Sequence, residues 1–136
     1  MRGLKYRVYD KIDKCYSDKA FSIDQLGICY IQDEDGYWEE IDEDRYIVEQ
    51  YTGLEDKNGK EICEGDIVKY ETVYEGEIVK GKGVVNFGNL DDTDGWTNGG
   101  YLCWRIDDWL SLNYGGRWIG VVGNIHENPK LLKKEK

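Results

Sequence analysis

A mainly β fold is what the sequence predicts, with an N-terminal β meander, a C-terminal SH3-like barrel region and few short helices. Three observations carry that expectation. The chain holds 17 Gly against a single Pro in 136 residues, and aromatic residues, chiefly 11 Tyr and 5 Trp, make up 13% of it. Aromatic and β-branched side chains pack well on a pleated surface, and frequent glycines suit the tight turns between short strands. Runs of period-2 alternation recur between those glycines, the pattern of strands with one face turned inward. A chain of this length fits one domain, residues 1–136, with sub-regions at 1–52 and 53–136, and buries about two-thirds of its unfolded surface.

Taken in order, Lys5-Tyr6-Arg7-Val8-Tyr9 alternates as a strand, and Asp10 to Lys14 turns it toward a second strand at Cys15-Tyr16. The sequence predicts a short helix over Ser22 to Leu26, capped by the Ser22 hydroxyl. Ile28 to Ile31 and Trp38 to Ile41 form the next pair, reversed at Asp33-Glu34-Asp35-Gly36, where Asp-Gly supplies hairpin chemistry. Arg45 to Tyr51 follows as a strand ending at Thr52-Gly53. In the second half, Asp66 to Tyr70, Glu77 to Val79 and Gly83 to Phe87 read as separate strands, with the intervening glycines as tight bends. Asn89 to Gly100 reads as a loop, and Tyr101 to Ile106 and Trp118 to Val122 as closing strands. Asn128 caps a terminal turn or helix over Lys130 to Lys136, with Pro129 at its first position. No internal repeat is evident.

The densest signal lies between Gln50 and Val68. Asp56-Lys57-Asn58-Gly59-Lys60 carries an Asn-Gly pair expected to form a type I′ reversal, and Glu64-Gly65-Asp66 makes a second turn just before Ile67-Val68. This block resembles the YopX family of small proteins encoded by bacteriophages and prophages. The likeness extends to Leu4-Lys5-Tyr6-Arg7-Val8-Tyr9-Asp10-Lys11, similar to the family's opening strand. It also extends to Val122-Gly123-Asn124-Ile125-His126-Glu127-Asn128-Pro129, similar to its closing run, with His126 where tyrosine is expected. Cys63 likewise stands where tyrosine is common in the family. The segments Lys19 to Glu49 and Glu71 to Val121 carry little of the family pattern. The resemblance implies a phage accessory protein of mainly β structure without established catalytic residues.

Composition narrows the function classes. A formal charge of −10 and a pI near 4.6 argue against direct binding to a phosphate backbone, which takes clustered Lys and Arg. No apolar run approaches the roughly 20 residues that a membrane-spanning helix needs, and Met1 to Arg7 do not read as a secretory leader. Cys15, Cys29, Cys63 and Cys103 stand far apart with no Cys-x-x-Cys, so they read as reduced thiols in a cytoplasm rather than as zinc ligands. The charge is uneven: carboxylates crowd Asp33 to Asp44, while the last seven residues are basic. That acidic run reads as a solvated strand edge or, alternatively, as a surface imitating nucleic acid.

Candidate chemistry is sparse. Asp91, Asp92 and Asp94, ahead of Gly95, bring hard oxygens together as a Ca²⁺ loop would, but without the downstream glutamate of an EF-hand; an Asx-rich turn fits better. His126 is the sole histidine, and no nucleophile elbow, phosphate loop or dinucleotide fingerprint occurs; Gly81-Lys82-Gly83 lacks the rest of a phosphate loop. Trp104 and Trp118 fall within expected strands and read as core. Trp96, between Gly95 and Thr97-Asn98-Gly99-Gly100, reads as an exposed contact. The expectation is therefore a non-catalytic binding module in a bacterial cytoplasm, without catalytic residues, cofactor or metal. Its partner is a host or phage protein, or a second copy of the chain, and Trp96, Asp91, Asp92 and Asp94 are the candidate partner-binding residues. The alternative is an acidic nucleic-acid mimic that occupies a basic groove of a host protein.

Overall fold

The computed structural model describes residues 5–90, 101–107, 110–112 and 119–132. These are mostly β strand with essentially no helix, as the alternation predicts. The chain falls into two compact units, the first Lys5–Glu49 and the second built from Gln50 onward.

In the first unit, β1 (Tyr6–Asp10) pairs antiparallel with β2 (Cys15–Tyr16), Tyr9 opposite Tyr16, which is the expected opening hairpin. A separate sheet has the order β3-β4-β5, with β3 Phe21–Ile23, β4 Cys29–Gln32 and β5 Trp38–Glu40. The helix expected over Ser22 to Leu26 is not there. Ser22 lies in β3 opposite Tyr30, and the chain reverses directly after it because the Asp24 carboxylate draws in the backbone N–H groups of Leu26 and Ile28, at 2.9 and 3.0 Å. A side chain that satisfies local backbone donors competes with helix formation. Val8, Ile31 and Tyr46 form the buried centre of this unit, with Phe21, Ile41 and Val48 packed against them.

β6 (Tyr46–Glu55) continues from the first unit into the second, past the strand end expected at Thr52-Gly53. It passes that point through a register shift between Tyr51 and Glu55, where Gly53 takes φ +83°. In the second unit it pairs with β7 (Glu61–Cys63), and a five-stranded antiparallel sheet follows in the order β11-β10-β9-β8-β12. Its members are β8 Asp66–Tyr74, β9 Glu77–Leu90, β10 Tyr101–Ile106, β11 Leu110–Ser111 and β12 Ile119–Asn124. The sheet curls as a half-barrel. Ile62, Val68, Val85, Ile106, Leu112 and Ile119 are buried inside it, with half-buried Leu54, Tyr70 and Trp104 against them. Each such aliphatic side chain contributes about 1.5–3 kcal/mol on removal from water.

The strands expected at Glu77–Val79 and Gly83–Phe87 are one strand, β9, and the glycines between them are not bends. They are sites of close approach: a Cβ on Gly81 would lie 2.6 Å from the Tyr70 hydroxyl, and one on Gly83 would lie 2.4 Å from Ile106 Cγ2. The terminal helix is reduced to a 3-10 turn, Pro129–Leu132, closed by the Leu131 N–H on the Asn128 carbonyl at 3.0 Å; residues 133–136 lie outside the described residues.

One turn recurs three times, although no repeat is evident at the level of strands. At Asp24–Ile28, Asp33–Tyr37 and Asp56–Lys60, the aspartate N–H donates to the carbonyl four residues on. Its own carbonyl accepts from the glycine N–H three residues on. In each case its Oδ1 accepts from the backbone N–H groups two and four residues on, at 2.8–3.0 Å. Gly27, Gly36 and Gly59 take φ of +83°, +91° and +81°. The reversal at Asn58-Gly59 is thus a turn closed by a left-handed glycine, not the expected type I′, because Asn58 keeps negative φ. The pair of left-handed central residues that type I′ requires occurs instead at Glu75-Gly76, with φ of +51° and +81°, between paired Tyr74 and Glu77.

Asp56 also reaches across to the closing strand: its Oδ2 accepts the Val121 N–H at 2.9 Å. Burial pushes the pKa of this carboxyl up, but the N–H donors of Val121, Lys60 and Asn58 outweigh that, and the pKa lies below the ordinary value. In the first unit, Asp10 is also held well below the usual carboxylate range, first by hydrogen bonds from the Arg45 guanidinium at 2.9 and 3.1 Å. Burial opposes this, and the N–H groups of Ile12 and Asp13 add to it.

Two outcomes follow. Asp56→Asn should lower stability by about 2–3 kcal/mol in urea denaturation, because an amide cannot accept from donors on both sides. Gly59→Val should cost about 1–3 kcal/mol although nothing surrounds a Cβ there, since the loss comes from backbone strain alone; Gly59→Asn should cost less. A carboxylate depressed on folding stabilises above its unfolded pKa near 3.9, so the contributions of Asp10 and Asp56 are lost as pH falls below that value. The gap in melting temperature between Asp56→Asn and the parent protein should therefore narrow as pH falls from 7 to 3.

Candidate binding surfaces

Residue chemistry in the first unit converges on a cavity of about 280 Å³. Asp33 enters it from the turn after β4, Glu39 and Glu40 from β5, and Asp42 from the turn that follows. Lys19, Arg45, Gln32, Ile31 and Tyr46 complete the lining. The local fold explains this placement: Glu39 lies opposite Ile31 and Glu40 opposite Tyr30, and the Asp33 turn brings the start of β5 back along the end of β4. The positive charge of Arg45 is already committed. Its guanidinium is held by Asp10 at 2.9 Å and Asp13 at 3.6 Å, and stacks over the Tyr46 ring at 5.0 Å. Among the described residues, the lining holds four acidic residues, and the Lys19 ammonium forms no salt bridge.

Beside the cavity, β5 is an outer strand in its sheet, and all three of its residues are exposed. Trp38 is 50% exposed and Tyr37 71%. Two adjacent aromatic side chains in water beside an acid-lined cavity bring large, stiff apolar area next to charge, the combination found at protein-binding hot spots. The residue pattern before this point reads them only as hairpin residues; the available signal was their position inside the acidic run.

Within the second unit, one surface carries the opposite charge. A groove of about 350 Å³ is lined by Lys57, Lys69, Lys80 and Lys82 with Glu71, Tyr70 and Gly81. Lys57 is placed by its own N–H, which donates to the Ile119 carbonyl at 3.0 Å, and by the Asp56 turn. Lys69 and Lys82 face each other directly across β8 and β9.

Trp96, Asp91, Asp92 and Asp94, the partner-binding residues expected from the sequence, lie outside the described residues, as does Trp118. Trp104 is half-buried against the second unit's core, with Phe87 edge-on at 5.3 Å. His126 is half-buried, its N–H capped by the Asn124 side chain at 3.0 Å. Cys63 and Cys103 are buried, Cys29 is half-buried and Cys15 is exposed. Among the described residues no group of His, Cys, Asp and Glu is arranged to hold a metal ion, and no helix is long and apolar enough to cross a membrane.

The residues that carry the family likeness have structural work in this geometry. Asp66 Oδ2 accepts the Cys63 N–H at 2.8 Å, and the Gly65 N–H and carbonyl bond Val85 and Ile125. Asn124 caps His126 and Glu127, and in turn donates its N–H to Asn128 Oδ1 at 3.2 Å. No curated protein matches the chain. Among solved structures, the crystal structure of protein EF1440 from Enterococcus faecalis is similar, at 25% identity and a TM-score of 0.55, with 98% of this chain and 100% of that chain covered. The sequence model of the YopX protein family matches residues 5–133, and with nearly its whole length so covered the chain belongs to that family.

Proposed function

We propose that this YopX-family chain is a non-catalytic binding module, a phage or prophage accessory protein acting in the host cytoplasm, and that its first unit engages a protein partner. The observation that supports this reading is the exposed Tyr37-Trp38 pair beside a cavity whose described lining holds four acidic residues. A lysine or arginine side chain from the partner fits that cavity. It would replace water around Asp33, Glu39, Glu40 and Asp42 while Trp38 supplies apolar contact. A sheet-edge strand such as β5 also offers main-chain groups to an incoming strand.

A second reading has its own support. Glu34, Asp35 and Asp44 are all exposed and lie outside the cavity lining, so the run presents carboxylates there as well, as an imitation of a phosphate backbone would.

Capture of partners from the host lysate, with mass spectrometry to identify them, separates the two. Trp38→Ala should weaken capture of the identified partner about 30-fold, near 2 kcal/mol, while the melting temperature stays close to the parent's because the side chain is exposed. If Trp38→Ala is silent while amide replacement of Glu34, Asp35 and Asp44 abolishes capture and added salt weakens it steeply, the mimic reading replaces the first. Capture that survives both sets of changes would remove the first unit as the binding surface.

A further inference from the structure

The lysine groove of the second unit is the feature that the fold itself does not account for. Lys69 stands on a single rung across three strands, directly opposite Lys82 on β9 and opposite Gly120 on β12. Gly120 carries no side chain there; Lys57 fills the space, its Cε 3.2 Å from where a Cβ would be. Three ammonium-bearing chains thus follow one another across the sheet. Two rungs nearer the hairpin tip, and so on the same face, Lys80 stands opposite Glu71, with Nζ and Oε1 3.9 Å apart. Among the described residues, that glutamate is the groove's one carboxylate against four lysines, in a chain whose net charge is −10.

Like charges placed directly opposite on neighbouring strands destabilise a sheet. With 28 Asp and Glu in the chain, an opposite-charge pair at this rung would be an easy arrangement. Among the described residues no carboxylate forms a salt bridge with Lys57, Lys69 or Lys82. A local arrangement that costs stability without a compensating contact in the fold points to a ligand that supplies the missing charge.

We infer that the groove formed by Lys57, Lys69, Lys80 and Lys82 binds a compact polyphosphate anion, either free or as the diphosphate end of a nucleotide. Strands lie about 4.8 Å apart, so the rung from β12 to β9 spans roughly 10 Å, which suits two linked phosphoryl groups rather than a long polymer. The acidity of the rest of the chain repels an extended polyanion, as a nucleic acid would be. Among the described residues, half-buried Tyr70 is the single aromatic residue in the lining, and one ring is not a platform on which successive bases stack.

Isothermal titration of the full chain with inorganic pyrophosphate tests the assignment. Saturable one-to-one binding is expected, weakening with added salt and weakening at least 10-fold in the double variant Lys69→Gln/Lys82→Gln. Lys130→Gln, outside the groove, should bind as the parent does. Without ligand the double variant should melt at or above the parent temperature, since a direct repulsion is gone. Lys57→Gln, on a turn rather than in the sheet, should weaken binding as well and serves if the double variant does not fold. A nucleoside diphosphate that binds more tightly than pyrophosphate would support the nucleotide source, and equal or weaker binding the free anion. The assignment is overturned if pyrophosphate does not saturate, if the groove variants bind it unchanged, or if a single-stranded oligonucleotide binds more tightly than either phosphate compound.

Discussion

The carboxylate of Asp56 is the interaction on which the second unit depends. It is buried, yet it costs the fold little, because backbone N–H groups of Asn58 and Lys60 meet one oxygen and that of Val121 meets the other. The first two bonds shape a local turn; the third is made to a residue 65 positions away and fixes that turn against the closing strand of the sheet. Charge-assisted hydrogen bonds of this kind outweigh the desolvation of the carboxylate, which is why its acidity is increased rather than reduced by burial. The position of Lys57 across Gly120 is a direct consequence.

The same logic extends through the family blocks. Asp66 holds the Cys63 N–H, Gly65 links β9 to the segment after β12, and Asn124 and Asn128 close the turn that follows the sheet. In the first unit, Asp10 caps its own turn and grips Arg45, while Glu49 accepts from Arg7 and Tyr16 at 3.0 and 2.8 Å. These short polar side chains satisfy backbone and side-chain groups that would otherwise be buried without partners. A family signature made of such residues describes how the chain folds.

Charge is sorted between two surfaces. The acid-lined cavity and the exposed aromatic pair belong to the first unit, and the lysine groove belongs to the second. A net charge of −10 averages over both and conceals the second entirely. Counting charges rightly argues against a long phosphate backbone as ligand, but it says nothing of a local cluster, because screening limits each group to neighbours within about 8–10 Å.

The sequence by itself determined the class of fold, most strand positions and the location of several turns. Alternation and turn chemistry are local properties, so the hairpins at Asp10–Lys14 and Asp33–Gly36 and the strands Asp66–Tyr70 and Tyr101–Ile106 were legible. The repeated Asp-x-x-Gly turn was legible too, but the signal lay in the aspartate three residues before each glycine rather than in the Asn58-Gly59 pair; the same spacing recurs at Asp92 and Gly95, outside the described residues. Tertiary structure decided the rest. Gly81 and Gly83 look like bends in sequence and are contact points in space, because what they meet, Tyr70 and Ile106, comes from other strands. Ser22 can cap a helix in isolation, yet pairing with Tyr30 makes it part of a sheet. Lys57, Lys69 and Lys82 are unremarkable until register sets them side by side, and register is fixed by which faces of the strands are buried, a property of the assembled sheet that no single segment carries.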